Sequence, residues 1–229
     1  MGEVTICVPL KCASFETLFA GAKLARKKRA DMVEIWLNTL PFQNEKKPMK
    51  MLEKCVEKME LPVLCVYKGK EAGERQRLLL AAVAVGVDYI DLSLDTDDEV
   101  REELRAHIEA KGGLTQLIIS YHNFSETPSY EMLWSIVLRA RDMGAEIVKI
   151  STTANSQADN ETLYRVLDTA REHAIRMLGM CMGEEGRESR VKALEHGGLW
   201  MFAALDESTR TADGQMTIDE VKSSINGDI

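Results

Sequence analysis

Histidine is scarce in this 229-residue chain: there are four, with no HxH or HExxH spacing. A zinc site is therefore not expected. The five cysteines, Cys7, Cys12, Cys55, Cys65 and Cys181, are odd in number, scattered, and form no CxxC pair. Cys7 and Cys65 fall in apolar runs, where a free thiol behaves as a small hydrophobe. No apolar run approaches bilayer length, and the first ten residues read as a short strand rather than a signal segment. A basic excess is missing too: 29 Lys and Arg against 37 Asp and Glu leave a formal charge of -8. That balance argues against a nucleic-acid backbone or an anionic membrane as the main partner. The one basic run, Arg26 to Arg29, closes a helical period, where cations suit the helix C-terminus. No linker, low-complexity tract or composition shift divides the chain, and no GxGxxG follows the first apolar run. The expectation is a reduced, cytoplasmic, soluble protein forming one domain over residues 1–229.

What the chain does have is alternation. Apolar runs of strand length occur at 5–10, 32–38, 62–67, 89–94, 116–122, 147–151, 177–182 and 199–205. Amphipathic helical periods separate them, at 15–28, 48–59, 74–85, 97–111, 130–143, 160–173 and 187–195, and a last one covers 218–225. Gly86, Gly112, Gly113, Gly144, Gly197 and Gly198 stand just past helices, and Thr127-Pro128 opens one. Strict alternation implies parallel strands with helical crossovers, and eight such units suffice to close a (β/α)8 TIM barrel. A doubly wound open sheet is the alternative topology.

In a barrel the chemistry gathers at the C-terminal ends of the strands. There the fifth strand delivers His122 and the sixth Lys149, each from an otherwise apolar run. Burial disfavours an ammonium ion, so a lysine so placed tends toward a nucleophilic amine. An amine beside an imidazole is the equipment for imine formation with a ketone, followed by proton transfer. By the period of two, Glu34, Trp36 and Asn38 share one face of the second strand. The third strand ends at Tyr67 and runs into Lys70-Glu71, and the seventh passes Met180 and Met182 toward Arg190. The polar loop 206–215 after the eighth strand could serve as a lid. The set suits a small keto acid, with a ketone for the lysine and a carboxylate for Arg190 to grip bidentately. Taken singly, Lys149 could also snorkel from an edge strand, and Glu34 or Glu71 could form a surface ion pair.

These residues resemble type I 3-dehydroquinate dehydratases over 4–221. The resemblance rests on Ala30-Asp31-Met32-Val33-Glu34, Lys70-Glu71-Ala72-Gly73, Asp88-Tyr89-Ile90-Asp91-Leu92, Ser120-Tyr121-His122-Asn123-Phe124, Val148-Lys149-Ile150, Met180-Cys181-Met182, Ser189-Arg190 and Gly214-Gln215. Each fragment is short, but their order along strands two to eight is specific. The resemblance implies a hydro-lyase that needs no cofactor and turns 3-dehydroquinate into 3-dehydroshikimate. Lys149 would form the imine, His122 act as general base and acid, and Glu71 orient the imidazole. Arg190, Gln215 and Thr211 would bind the substrate carboxylate, Glu34 the ring hydroxyls, and Met180 and Met182 line the pocket. A homodimer is the expected assembly.

Two departures stand out. The family's second strand reads Glu-x-Arg-x-Asp, but here it is Glu34-Ile35-Trp36-Leu37-Asn38, and a third-strand arginine four residues before the matched glutamate is here Tyr67. Loss of two cations near Glu34 predicts weaker hydroxyl recognition, by about 1–3 kcal/mol per charged hydrogen bond. Trp36 and Tyr67 could instead wall a pocket for a different keto acid, in a related Schiff-base lyase or aldolase. A catalytically weakened barrel is the third reading.

Overall fold

The computed structural model describes residues 4–42 and 48–226. Among them, strands and helices alternate as β1 Ile6–Leu10, α1 Phe15–Lys27, β2 Met32–Trp36, α2 Pro48–Met59, β3 Val63–Val66, α3 Ala72–Ala84, β4 Tyr89–Ser93, α4 Asp98–Ala110, β5 Gln116–His122, α5 Tyr130–Asp142, β6 Ile147–Thr153, α6 Gln157–Glu172, β7 Met177–Met182, α7 Ser189–Lys192, β8 Met201–Phe202 and α8 Ile218–Asn226. Hydrogen-bonded neighbours follow the order β7-β6-β5-β4-β3-β2-β1-β8. A parallel bridge from Met177 to Gly198 links the start of β7 to the segment entering β8. Consecutive strands are neighbours throughout, with none of the order reversals of a doubly wound sheet. This is the topology of a (β/α)8 barrel, as the alternation predicts. No helix among the described residues is long and apolar enough to cross a membrane.

The chain divides into two compact units, residues 8–117 and residues 1–7 with 118–229. In the first, β2 pairs in parallel with β3 and β3 with β4. One face of these strands carries Val33, Ile35, Cys65 and Ile90, all fully or almost fully buried. The other carries Glu34 beside Leu64, then Trp36 beside Val66 and Asp91. Burial keeps the Cys65 thiol protonated by raising its pKa. Helix α1 starts at a reciprocal cap in which the Ser14 hydroxyl accepts from the Thr17 amide at 3.2 Å.

In the second unit, β5, β6 and β7 pair in parallel, and β8 pairs with the start of β1. Gly179 on β7 shows why the outward face must stay small: a Cβ there would press on Leu163 and Leu167 of α6. Helix α6 begins three residues earlier than its apolar period, because Ser156 and Asp159 form a capping box ahead of it.

β2, α7 and β8 are among the elements shorter than their apolar runs predict. β2 stops at Trp36 and the chain turns through a 3-10 helix, Leu37–Thr39, so Asn38 leaves the strand face that its spacing implies. Helix α7 has only four residues, and beyond it the tighter bonds Leu194 N to Val191 O and Glu195 N to Lys192 O take over. β8 is two residues long, because past Ala203 the backbone changes partner. Ala204 N donates to Met216 O and Ile218 N donates back to Ala204 O, both at 2.9 Å. The loop 206–215 is therefore closed at its base by main-chain bonds.

Candidate active site

Lys149 lies at the third position of β6 and is 4% exposed. Registered neighbours in a parallel sheet point to the same side. Ser120 pairs with Lys149 and Lys149 with Leu178; one step on, His122 pairs with Ser151 and Ser151 with Met180. Period-two alternation thus places Lys149 and His122 on one face of adjacent strands, two positions apart along the chain direction. The Lys149 Nζ lies 4.6 Å from the centroid of the Phe202 ring on β8. That ring face favours the cation while burial opposes it.

His122 is the last residue of β5, and its ring stacks on Phe124 at 6.0 Å between centroids. The turn that follows is fixed from within and from β6. Asn123 Oδ1 accepts from the amides of Ser125 and Glu126, at 3.0 and 3.1 Å. Thr153 Oγ1 donates to Asn123 O, and Thr127 Oγ1 donates to Thr153 O. The histidine is thus delivered from a braced strand end rather than a loose loop. The cap of α5 is Ser129, one residue beyond the predicted Thr127-Pro128.

Arg190 is held by its neighbours along the chain. The Ser189 hydroxyl donates to Gly186 O at 2.6 Å and accepts from the Cys181 amide at 2.8 Å, which pins the start of α7 to the end of β7. Arg190 is 3% exposed. Its Nη2 donates to Asp213 O at 2.8 Å, and Nη1 lies 3.9 Å from Met180 Sδ. Burial pulls the guanidinium down to about 10, so it stays charged at neutral pH. Its Nε is buried with no hydrogen-bond partner.

The loop bearing Thr211 and Gln215 returns to the same place. Gln215, 1% exposed, accepts through Oε1 from the Thr211 amide at 2.7 Å and hydroxyl at 3.2 Å. Its amide NH2 is the end that remains to donate. Gly214 has φ of +70°, and a Cβ there would overlap the Gly183 carbonyl, so only glycine lets the loop pass so close to β7. Met180 and Met182 are buried on β7, on the face that holds Lys149.

In the unit of residues 8–117, Glu34 is 4% exposed and accepts a 2.8 Å hydrogen bond through Oε2 from Trp36 Nε1. The indole thus does part of what a guanidinium would do, as a neutral donor rather than as a wall. The Lys11 ammonium lies 5.5 Å from the Trp36 ring centroid. Tyr67, the second position where the resemblance expects an arginine, is buried. Val66 takes the face shared with Trp36, so Tyr67 turns the other way, and its phenol donates to Glu74 Oε2 on α3 at 2.8 Å. Burial, then the Glu74 bond and charge, raise this phenol to about 12. Its ring occupies the space a Cβ of residue 69 would need, which explains Gly69. The next residue, Lys68, is exposed, and its amide donates to Asn38 Oδ1 at 2.9 Å. Glu71 is exposed and occupies the N-cap position of α3, with no side-chain cap bond of its own.

Sequence reasoning passed over Ser120 and Ser151, both buried on the Lys149 face, and Asp91, buried on the Glu34 face. The period of two applied outward from Lys149 and Glu34 would have found the first two and, through the β2–β4 register, the third.

A sequence profile of the family described as Type I 3-dehydroquinase matches residues 6–226. The chain is 34% identical over 224 residues to the chloroplastic bifunctional 3-dehydroquinate dehydratase/shikimate dehydrogenase of Arabidopsis thaliana, covering 94% of this chain. It spans 36% of the length of that larger protein. It is 38% identical over 157 residues to the 3-dehydroquinate dehydratase of Desulfotalea psychrophila, covering 69% of this chain and 68% of the relative. Among solved structures, type I 3-dehydroquinate dehydratase from Clostridium difficile superposes with a TM-score of 0.87 at 24% identity. That match covers 99% of this chain and 92% of the other, and supports the barrel fold.

Proposed function

Because the chain belongs to the type I 3-dehydroquinase family, we propose that it dehydrates 3-dehydroquinate to 3-dehydroshikimate through a Schiff base on Lys149. The observation that carries this reading is the β5–β6 register, which sets a buried amine and an imidazole on one face. The Lys149 amine attacks the C3 ketone, and loss of water gives the imine. The imine is an electron sink, so the adjacent C2 proton becomes acidic enough for His122 to remove. His122, now protonated, gives its proton to the departing hydroxyl, and a second water hydrolyses the imine to release product and amine. By the resemblance, Glu71 takes the orienting role.

Arg190 offers its unpartnered Nε, and Gln215 its amide NH2, to the substrate carboxylate, with Thr211 beside them. Glu34, held by Trp36, accepts from the ring hydroxyls, and Met180 and Met182 exclude water. The reading extends to a cytoplasmic, single-domain enzyme of the shikimate pathway, working as a homodimer without nucleic acid or a cofactor. The relatives described are dehydratases, and they lend no support to a different keto acid or a weakened barrel.

The test is an ultraviolet assay for the conjugated enone with purified protein and 3-dehydroquinate. Borohydride added during turnover should fix the substrate skeleton on Lys149, read by peptide mass. His122→Ala should stop turnover yet still allow trapping. Glu71→Gln should cost about 1–3 kcal/mol of transition-state stabilisation, less than loss of the histidine. No enone and no adduct at high substrate would overturn the proposal.

A further inference from the structure

Glu220 lies in the first turn of α8, and no step above uses it. Its carboxylate nevertheless gathers donors from three segments of the chain. Oε1 accepts from Arg187 Nη2 at 2.7 Å and from Arg210 Nη2 at 3.2 Å. Oε2 accepts from the same Arg210 nitrogen at 3.0 Å and from the Thr217 amide at 2.7 Å. The Glu220 amide in turn donates to Thr217 Oγ1 at 3.2 Å, a reciprocal cap on α8. Partial burial alone would raise this carboxylate, but the Thr217 and Arg187 hydrogen bonds outweigh it and hold the pKa at about 2. It is therefore anionic throughout the neutral range.

What Glu220 joins is informative. Arg187 stands three residues before Arg190 on the segment leaving β7, and Arg210 directly precedes Thr211. One carboxylate thus ties together the two segments that carry the anion-gripping side chains. The hydrogen bond that the Arg190 side chain donates from Nη2 to Asp213 O spans the same gap on the site side. Glu220 also neutralises Arg187, whose positive charge works against that of Arg190.

We propose that Glu220 is a positioning residue for substrate-carboxylate recognition. It sets the spacing between Arg190 and the Thr211–Gln215 stretch without touching substrate. This rests on the reading of Arg190, Thr211 and Gln215 as carboxylate ligands. The role predicts that its loss weakens capture of the anionic substrate more than it slows the chemistry on Lys149.

The experiment compares wild type with Glu220→Gln, Glu220→Asp and Arg210→Gln, the last releasing only one side of the tie. Each is assayed for kcat and KM with 3-dehydroquinate, and wild type and the two Glu220 variants also for tryptic cleavage after residues 187 and 210 in the folded enzyme. Glu220→Gln should raise KM by ~5-fold or more with kcat within about twofold. Cleavage after Arg210 should be faster than in wild type, and Glu220→Asp should recover part of both changes. Arg210→Gln should raise KM in the same sense, with a smaller effect when added to Glu220→Gln than alone. Unchanged KM and unchanged cleavage after Arg187 and Arg210 in Glu220→Gln, with wild type active, would overturn this inference alone. So would equal falls in kcat and kcat/KM in all variants with no recovery by aspartate, which is the mark of general unfolding. A wild type inert toward 3-dehydroquinate would instead remove the reading beneath it.

Discussion

Tyr67 and Trp36 show how far a single residue's neighbourhood decides its meaning. Both stand where the resemblance expects arginine, yet they solve different problems. Trp36 donates to Glu34, while Tyr67 donates to Glu74. Tyr67→Arg is therefore expected to give no gain in kcat/KM on 3-dehydroquinate, contrary to what the resemblance suggests. It should lower the melting temperature, since the Glu74 hydrogen bond is lost and a long cation must fit where the ring covers Gly69. Trp36→Phe, which keeps a ring but removes the donor, should raise KM, because Glu34 loses a partner worth about 1–3 kcal/mol. Steady-state kinetics and thermal melts of the two variants check both statements. Residue identity was legible here but direction was not: the apolar run reaches Tyr67, while the strand ends at Val66. Lys149 and His122 were legible because an ionisable group inside an apolar run is costly and so conspicuous.

At the scale of elements, the strands with long uninterrupted apolar runs were the readable ones. β5 and β7 begin and end where their hydrophobic runs do. α7 and β8 were not readable, because tighter local bonds take over after α7 and a change of main-chain partner ends β8. Of the Glu220 tie only the Thr217–Glu220 cap shows in the spacing, since residues 187 and 210 join it through folding. The tie does leave a trace in pH. The folded pKa of about 2 lies below the ordinary 4.5 of a free glutamate. The stability it contributes is thus fully present above about pH 4.5 and is lost as pH falls toward 2. Denaturant midpoints of wild type and Glu220→Gln should therefore differ most near neutrality and converge in acid. A difference that stays constant from pH 7 to 2 would contradict the assignment.

For the whole molecule, the division of labour follows the chain. Lys149, His122, Arg190, Thr211 and Gln215 belong to the unit completed by residues 118–229, and Glu34, Trp36 and Glu71 to residues 8–117. In the proposed reading, imine chemistry and ring-hydroxyl recognition are thus drawn from separate stretches of sequence. Glu34→Gln is expected to leave borohydride trapping of a simple keto acid on Lys149 intact while weakening selection for 3-dehydroquinate over it. Competition between the two ketones, read by adduct mass, measures this. The same separation explains how the second strand can exchange arginine for tryptophan while the imine residues stay in place. The barrel itself was legible from alternation alone, because each β–α unit repeats the same apolar rhythm.

The bond from the Trp36 indole to Glu34 carries an optical consequence. The chain has three tryptophans, and this one has its N–H committed to a buried carboxylate that the proposed substrate would also engage. Indole emission depends on what the N–H donates to and on nearby charge. In a background with Trp134 and Trp200 replaced by phenylalanine, Trp36 becomes a native fluorophore wired to the Glu34 carboxylate. Its spectrum would then shift as ligand arrives, and occupancy could be followed without a label or turnover.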